Sequence, residues 1–297
     1  MPITGIYFIP SHPNTTTALP TLTERLRTAY PEQDLVPAGR WALEHKLMRD
    51  TPGLLPASPQ SKKPRYMQFL TLSHYPSHGF IYASEPAEKP FHPPASTPTP
   101  ATPTGANAAA ETSMVMTTVP PSSYGTLFQH FVYAAQPFWC HRLTMAVPAG
   151  VVYEVGDFRV RMGDVRQTYP TARVRGTVVE IEWLGPSVVE SVALGQEDGD
   201  EMGFAGVEEA DVDAEYAATA QLIREFWTRL RFEGAREAIL VPGVGKEVKE
   251  KLKRRGEKKG SNGVVTVPLV EGEEEDPDPS AGTDVARQYM EVLRFNR

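Results

Sequence analysis

The feature that most constrains this chain is an alternating run from Leu143 to Trp183. Leu143, Met145 and Val147 alternate with polar or small residues, Val151, Tyr153 and Val155 alternate next, and Gly156-Asp157 follows. Phe158, Val160 and Met162 then alternate with Arg159 and Arg161. After a loop with Pro170, Thr177, Val179, Ile181 and Trp183 alternate with Val178, Glu180 and Glu182. A period of two over these segments demands antiparallel strands with one face buried. Gly-Asp between two such runs predicts a two-residue hairpin, because glycine supplies the positive φ of a II′ turn. Arg159 and Arg161 fall on the outer face of one strand, with Glu180 and Glu182 on the outer face of the next. Such cross-strand pairs contribute about 0.2–1 kcal/mol each. Val152 and Val178 are apolar on that same outer face, which points to a covered surface.

Other segments extend the sheet and surround it with helices, an α+β arrangement. Ile3 to Ile9, Tyr66 to Ser73, Phe80 to Ala83 and Ala238 to Val241 read as strands, with a turn at Pro76–Gly79. Leu143, Met145 and Val147 read as another strand, ended by a turn at Pro148-Ala149-Gly150. Thr21 with Glu24 has the spacing of a capping box before Leu22, Leu26 and Ala29. Ser122/Ser123 are candidate caps for a helix with Leu127, Phe128, Phe131, Val132 and Ala135. From Ala214, Tyr216, Ala220, Ile223, Trp227 and Leu230 share a helical face. Thr283 or Asp284 precedes a final stripe of Val285, Tyr289, Val292 and Leu293.

Three stretches read as insertions within a single domain spanning 1–297. Residues 84–123 hold nine of the 28 prolines and are low in complexity, with Ser113 to Val119 as a short candidate strand. Residues 196–213 read as an acidic loop, and 243–281 as a basic then acidic loop. Removing them leaves a core of a size that one domain accommodates. The net charge of −7 argues against bulk nucleic-acid binding. A lone cysteine, Cys140, excludes an internal disulfide and fits a reducing compartment, cytosol or nucleus. No apolar run is long enough to span a bilayer, and no signal peptide is read at the start.

Candidates for chemistry are few. Cys140 and His141 are strand neighbours that point to opposite faces, so they do not form a nucleophile–base pair. His74 and His78 have metal-ligand spacing on a helix, but Pro76 and Gly79 place them in a turn. The acidic run 197–201 lacks the spacing of a calcium loop. The segment 241–255 opens with Val-Pro-Gly-Val-Gly-Lys, which resembles the phosphate-contacting hairpin of a helix-hairpin-helix element. Lys246, Lys249, Lys251, Lys253, Arg254 and Arg255 accompany it, so a DNA-binding factor is the alternative reading. No catalytic, cofactor or metal residue is assigned, and no residue is assigned to a protein interface.

Several segments together resemble one family. The opening Met-Pro-Ile-Thr-Gly-Ile-Tyr-Phe-Ile-Pro is similar to the first strand of Mediator complex subunit 20, of the TATA-binding-protein-related-factor family, in its fungal form. Val151 to Val165 resembles that family's central hairpin, and Arg175 to Val189 its next strand with the Gly-Pro step. The helix from Ala214 and the run Ala286 to Glu291 resemble its closing helices. The resemblance implies a β-barrel-like sheet with packed helices and no catalytic residues. It also implies a subunit of the Mediator head module in the nucleus. There it pairs with Mediator subunit 18, docks through subunit 8 and passes activator signals to RNA polymerase II.

Overall fold

The computed structural model describes residues 3–11, 17–33, 35–51, 65–84, 115–186, 209–239 and 282–294. The acidic run 197–201 and the element 241–255 lie outside them. The described residues form nine strands and four helices. The strands are β1 (Thr4–Pro10), β2 (Pro37–Asp50), β3 (Tyr66–Leu72), β4 (Gly79–Ser84), β5 (Val115–Val119), β6 (Trp139–Val155), β7 (Phe158–Tyr169), β8 (Arg173–Trp183) and β9 (Arg236–Ala238). The helices are α1 (Leu19–Ala29), α2 (Pro121–Tyr133), α3 (Glu209–Arg229) and α4 (Thr283–Val292).

All strands join one antiparallel sheet in the order β5-β4-β3-β2-β6-β7-β8-β1-β9. The hairpin at Gly156-Asp157 is present, with Val155 opposite Phe158 and Gly156 at φ +57°. The β7–β8 register sets Arg159 opposite Glu182 and Arg161 opposite Glu180, the pairing expected from the alternation. Chain order departs at β1, which inserts between β8 and β9 and so locks the first strand into the far half of the sheet.

The turn expected at Pro148-Ala149-Gly150 is not there. The chain continues as one strand from Trp139 to Val155, with an extra residue relative to both neighbours at this point. This is a bulge, which absorbs the proline without reversing the chain. Gly150 is required because the Trp41 indole lies where its Cβ would be. That indole donates from Nε1 to the Met162 carbonyl at 3.2 Å, tying β2 to β7 across β6.

Two expected caps also move. Helix α1 begins at Leu19, so Thr21 is already inside its first turn and Pro20 occupies a position where its missing N–H is harmless. Helix α2 starts at Pro121 after Pro120, which leaves Ser122 and Ser123 within the helix. Helix α3 starts at Glu209, inside the stretch read as an acidic loop, because buried Val212 extends the Tyr216 face by a turn. Helix α4 is entered through Gly282 at φ +75°, without a side-chain cap from Thr283 or Asp284. Strand β2 was not apparent from the sequence. Its Lys46 packs against a helix rather than projecting into water, with the ammonium 4.6 Å from the Phe128 ring centroid.

The α+β arrangement of an antiparallel sheet with packed helices is as expected, and the barrel-like sheet is curled but open rather than a closed barrel. Helix α4 touches β1 and β9 and also β3 and β4, although four strands separate β3 from β1. A flat sheet would hold those strands about 24 Å apart, more than twice a helix diameter. The sheet therefore wraps around α4. Among the described residues β5 and β9 are the two edges of the sheet and do not pair.

Helices thus cover both faces. On the convex face, α1 and α3 pack on the half containing β7, β8 and β1, through Leu22, Leu26, Ile223, Phe226 and Trp227. Helix α2 packs on the other half, where Phe69 meets Tyr124, Phe128 and Phe131. On the concave face, Phe8, Leu72, Phe80 and Val178 pack against Val285, Tyr289, Met290 and Leu293 of α4. Val152 and Val178 are buried here, so the apolar outer face is covered, and its cover is this chain's own helix.

Candidate functional site

The densest gathering of ionisable side chains among the described residues lies between the concave face and α4. Alternation in β7 and β8 aims Arg161, Glu180 and Glu182 at the same space. The Arg161 guanidinium donates to Glu180 Oε1 at 2.5 Å and, from the same nitrogen, to Glu182 Oε2 at 2.8 Å. The Tyr289 hydroxyl comes down from α4 and donates to the other oxygen of Glu180 at 2.5 Å. The His74 ring, from the β3–β4 turn, stands 3.6 Å from that oxygen. Arg159 lies further out, bonded to Glu154 at 2.9 Å and 3.5 Å from Glu182.

These charges are not on a solvated outer face, as the alternation had implied. Glu180 is only 1% exposed and Arg161 7%. The difference arises because α4 covers the strands over which the pair forms. Burial changes the energetics: an exposed pair contributes little, whereas breaking a buried one costs about 3–5 kcal/mol.

The protonation states follow from the surroundings. Burial pulls against the charge on Arg161, but Glu180 and Glu182 outweigh it and its pKa is raised. Tyr289 is pushed well up by burial and then by Glu180, so it stays a neutral donor. Tyr75 is pushed up to about 12, by burial first and Glu180 second. His74 is held below its ordinary value by burial, against the pull of Glu180, and both ring nitrogens lack a hydrogen-bond partner among the described residues. One strand further, His45 donates from Nε2 to the Gln68 side-chain oxygen at 2.8 Å, and burial pushes its pKa down to about 4.

Chemically this is a lock rather than a reactive centre. Each carboxylate oxygen of Glu180 is engaged by a donor. Its effect is to fix α4 at one height over the sheet.

The other candidates are dispersed. Cys140 is half-buried on β6. His141 bonds Thr144 at 2.9 Å and stacks on Tyr169 at 4.2 Å, with its pKa lowered chiefly by burial. His74 turns inward to the lock, whereas His78 stacks on Phe80. Among the described residues, no group of three or more His, Cys, Asp or Glu is placed to hold a metal. No described helix is long and apolar enough to cross a membrane. The role of Tyr289 as a polar anchor was missed from the sequence, where it reads as one member of an apolar stripe. Its signal was the buried face that Val152 and Val178 already marked.

Comparison with known families gives one match. The model for the TATA-binding related factor of subunit 20 of the Mediator complex covers residues 1–294. No curated protein matches the sequence.

Proposed function

Since the chain belongs to the family of Mediator subunit 20, whose members are subunits of a transcription-regulating complex, we propose that it is a non-enzymatic subunit of the Mediator head module. It acts through protein–protein contact as a coactivator in the nucleus, linking regulatory factors to RNA polymerase II and the pre-initiation complex. Its direct partners are Mediator subunit 18, with which it forms a heterodimer, and subunit 8, through which the pair docks.

The observation that carries this reading is the family match along the length of the chain. The disposition of charge supports it. Arg161, Glu180 and Tyr289 are committed to one another and to holding α4. Function then falls to the surface, the place where a subunit meets its neighbours.

Co-expression of the full chain with subunit 18 tests the proposal. The expected product is a soluble one-to-one complex that recruits subunit 8, and the tagged chain should co-purify with head-module subunits from nuclear extract. A monodisperse monomer with no affinity for subunit 18, and no Mediator subunits in the purification, would overturn it.

A further inference from the structure

The charge distribution of the described surface is uneven. The chain carries 37 acidic residues, yet none lies between Glu111 and Glu154. That stretch supplies α2 and most of β6. Antiparallel pairing then brings the start of β6 together with the ends of β2 and β7 and the start of β8: Trp139 is opposite Asp50, Thr144 opposite Tyr169, and Arg173 opposite Gln167. One end of the sheet is therefore built almost without carboxylates.

What this end shows to solvent is aromatic. Tyr133 is 73% exposed, Phe138 49% and Tyr169 45%. The Tyr169 ring is held from below. Tyr169 stacks on His141 at 4.2 Å and 10°, and His141 meets Phe128 of α2 edge-on at 5.2 Å. Phe131 of the same helix packs edge-on against Trp139, and the Arg65 guanidinium lies 5.9 Å from the Trp139 ring. Arg142 and Arg166 are exposed at the same end and make no ion pair among the described residues. Carboxylates near this end are already engaged: Asp50 by Arg65 at 3.0 Å, Glu44 by Lys46 at 2.8 Å and Asp164 by the Thr177 hydroxyl at 2.9 Å.

Exposed, rotamer-poor aromatic rings beside arginine, with few acidic or small residues, make up the composition of interface hot spots. Scattered exposed apolar residues need no explanation, but a supported ridge of them with one sign of charge does. We propose that this end of the sheet, centred on Tyr133, Phe138 and Tyr169 and rimmed by Arg65, Arg142 and Arg166, docks an acidic protein segment bearing apolar side chains.

The chemistry decides the occupant. Carboxylates complement the arginine rim, and apolar side chains complement the rings between them. A single-stranded nucleic acid would also stack on Tyr169, but one face of that ring is already taken by His141. A polyanion would moreover meet the chain's net charge of −7 beyond the patch. A short acidic segment concentrates its few charges on the rim. The assignment rests on these residues alone and is independent of the assembly proposed above.

Fluorescence anisotropy with the full-length chain tests it. The probes are a labelled peptide alternating Asp with Phe and Leu, the same peptide with Asn for Asp, and an oligothymidylate of equal length. The acidic peptide should bind saturably and more weakly as salt is added. The neutral peptide should bind about tenfold more weakly, as should the acidic peptide to Tyr169→Ala or Arg142→Glu chains. Because Tyr133 and Arg142 are exposed, Tyr133→Ser and Arg142→Glu should leave the thermal unfolding midpoint unchanged, so loss of binding in them is not loss of fold. No saturable binding, equal affinity for the neutral peptide, tighter binding of oligothymidylate, or binding unaffected by both Tyr133→Ser and Arg142→Glu would each overturn the proposal.

Discussion

The two faces of the sheet are held by different physics. On the convex face the core contacts are apolar: Tyr7 stacks on Trp227 at 4.2 Å, and Val160, Ile181 and Ile223 fill the space between β-strands and α3, while the ion pair of Arg224 with Glu237 at 2.9 Å is exposed. Two helices share that half of the face, and adhesion scales with the area removed from water. On the concave face one ten-residue helix must hold alone. It buries apolar residues as well, but it also carries Tyr289 onto a carboxylate that Arg161 neutralises. Apolar surfaces tolerate small shifts, whereas a hydroxyl that must reach one oxygen does not. The convex face provides bulk cohesion, and the concave face provides a single position.

The largest expected effect is on the concave side. Arg161→Met leaves Glu180 buried without its cation and should lower stability by about 3–5 kcal/mol in chemical denaturation. The double variant Arg161→Met with Glu180→Leu should recover most of that loss, since an apolar pair replaces an ionic one. If the double variant is as damaged as the single, the pair is not an isolated charge lock. The convex counterpart, Ile223→Ala, should cost about 3 kcal/mol by leaving a cavity between α3 and Gly5. No second substitution that merely balances charge should rescue it.

Acid should then separate the faces. The folded pKa of His45, about 4, lies below its unfolded value near 6.5. In that window the unfolded chain binds more protons, so stability is fully present above about pH 6.5 and declines as pH falls toward 4. His74 shifts in the same direction. The integrated loss is on the order of 2–3 kcal/mol. Urea midpoints measured across this range should show a shallower acid slope for His45→Gln, and an unchanged slope for Ile223→Ala. The smallest effect is Tyr289→Phe, which removes one hydroxyl from Glu180 and should cost about 1–2 kcal/mol. That variant should alter the near-ultraviolet dichroism of Trp41, whose ring centroid lies 6.1 Å from the Tyr289 ring.

Legibility in the sequence followed the range of the interactions. The β7–β8 register was readable because charge and hydrophobicity alternate together: Arg161 could oppose Glu180 only if Val160 opposed Ile181. The hairpin at Gly156 was readable because its determinant is local. Burial of the same pair was not, since it depends on a helix that arrives from Thr283. Strand β2 was hidden because polar residues are covered on both of its faces, Lys46 against α2 and His45 against Gln68, so alternation no longer marked inside and outside. The Pro148 turn was misread because a bulge uses the same residue types as a reversal. The arginine–carboxylate lock was half legible, its strand side in the spacing and its helix side only in three dimensions.

Helix α4 has a kinetic consequence. It contacts β3 and β4, roughly two hundred residues earlier, and β9 ends at Ala238 well before the helix begins at Thr283. Contacts of such long sequence separation form late, after the loop entropy has been met. Until then the curled strands present Arg161 and Glu180 to water. Docking of the helix removes that water, so desolvation of the pair is tied to the arrival of α4 rather than to the pairing of the strands. Arg161 and Glu180 are thus charges whose burial waits on a helix, while the convex half buries its core through contacts just as long in sequence, such as Ile223 against Gly5.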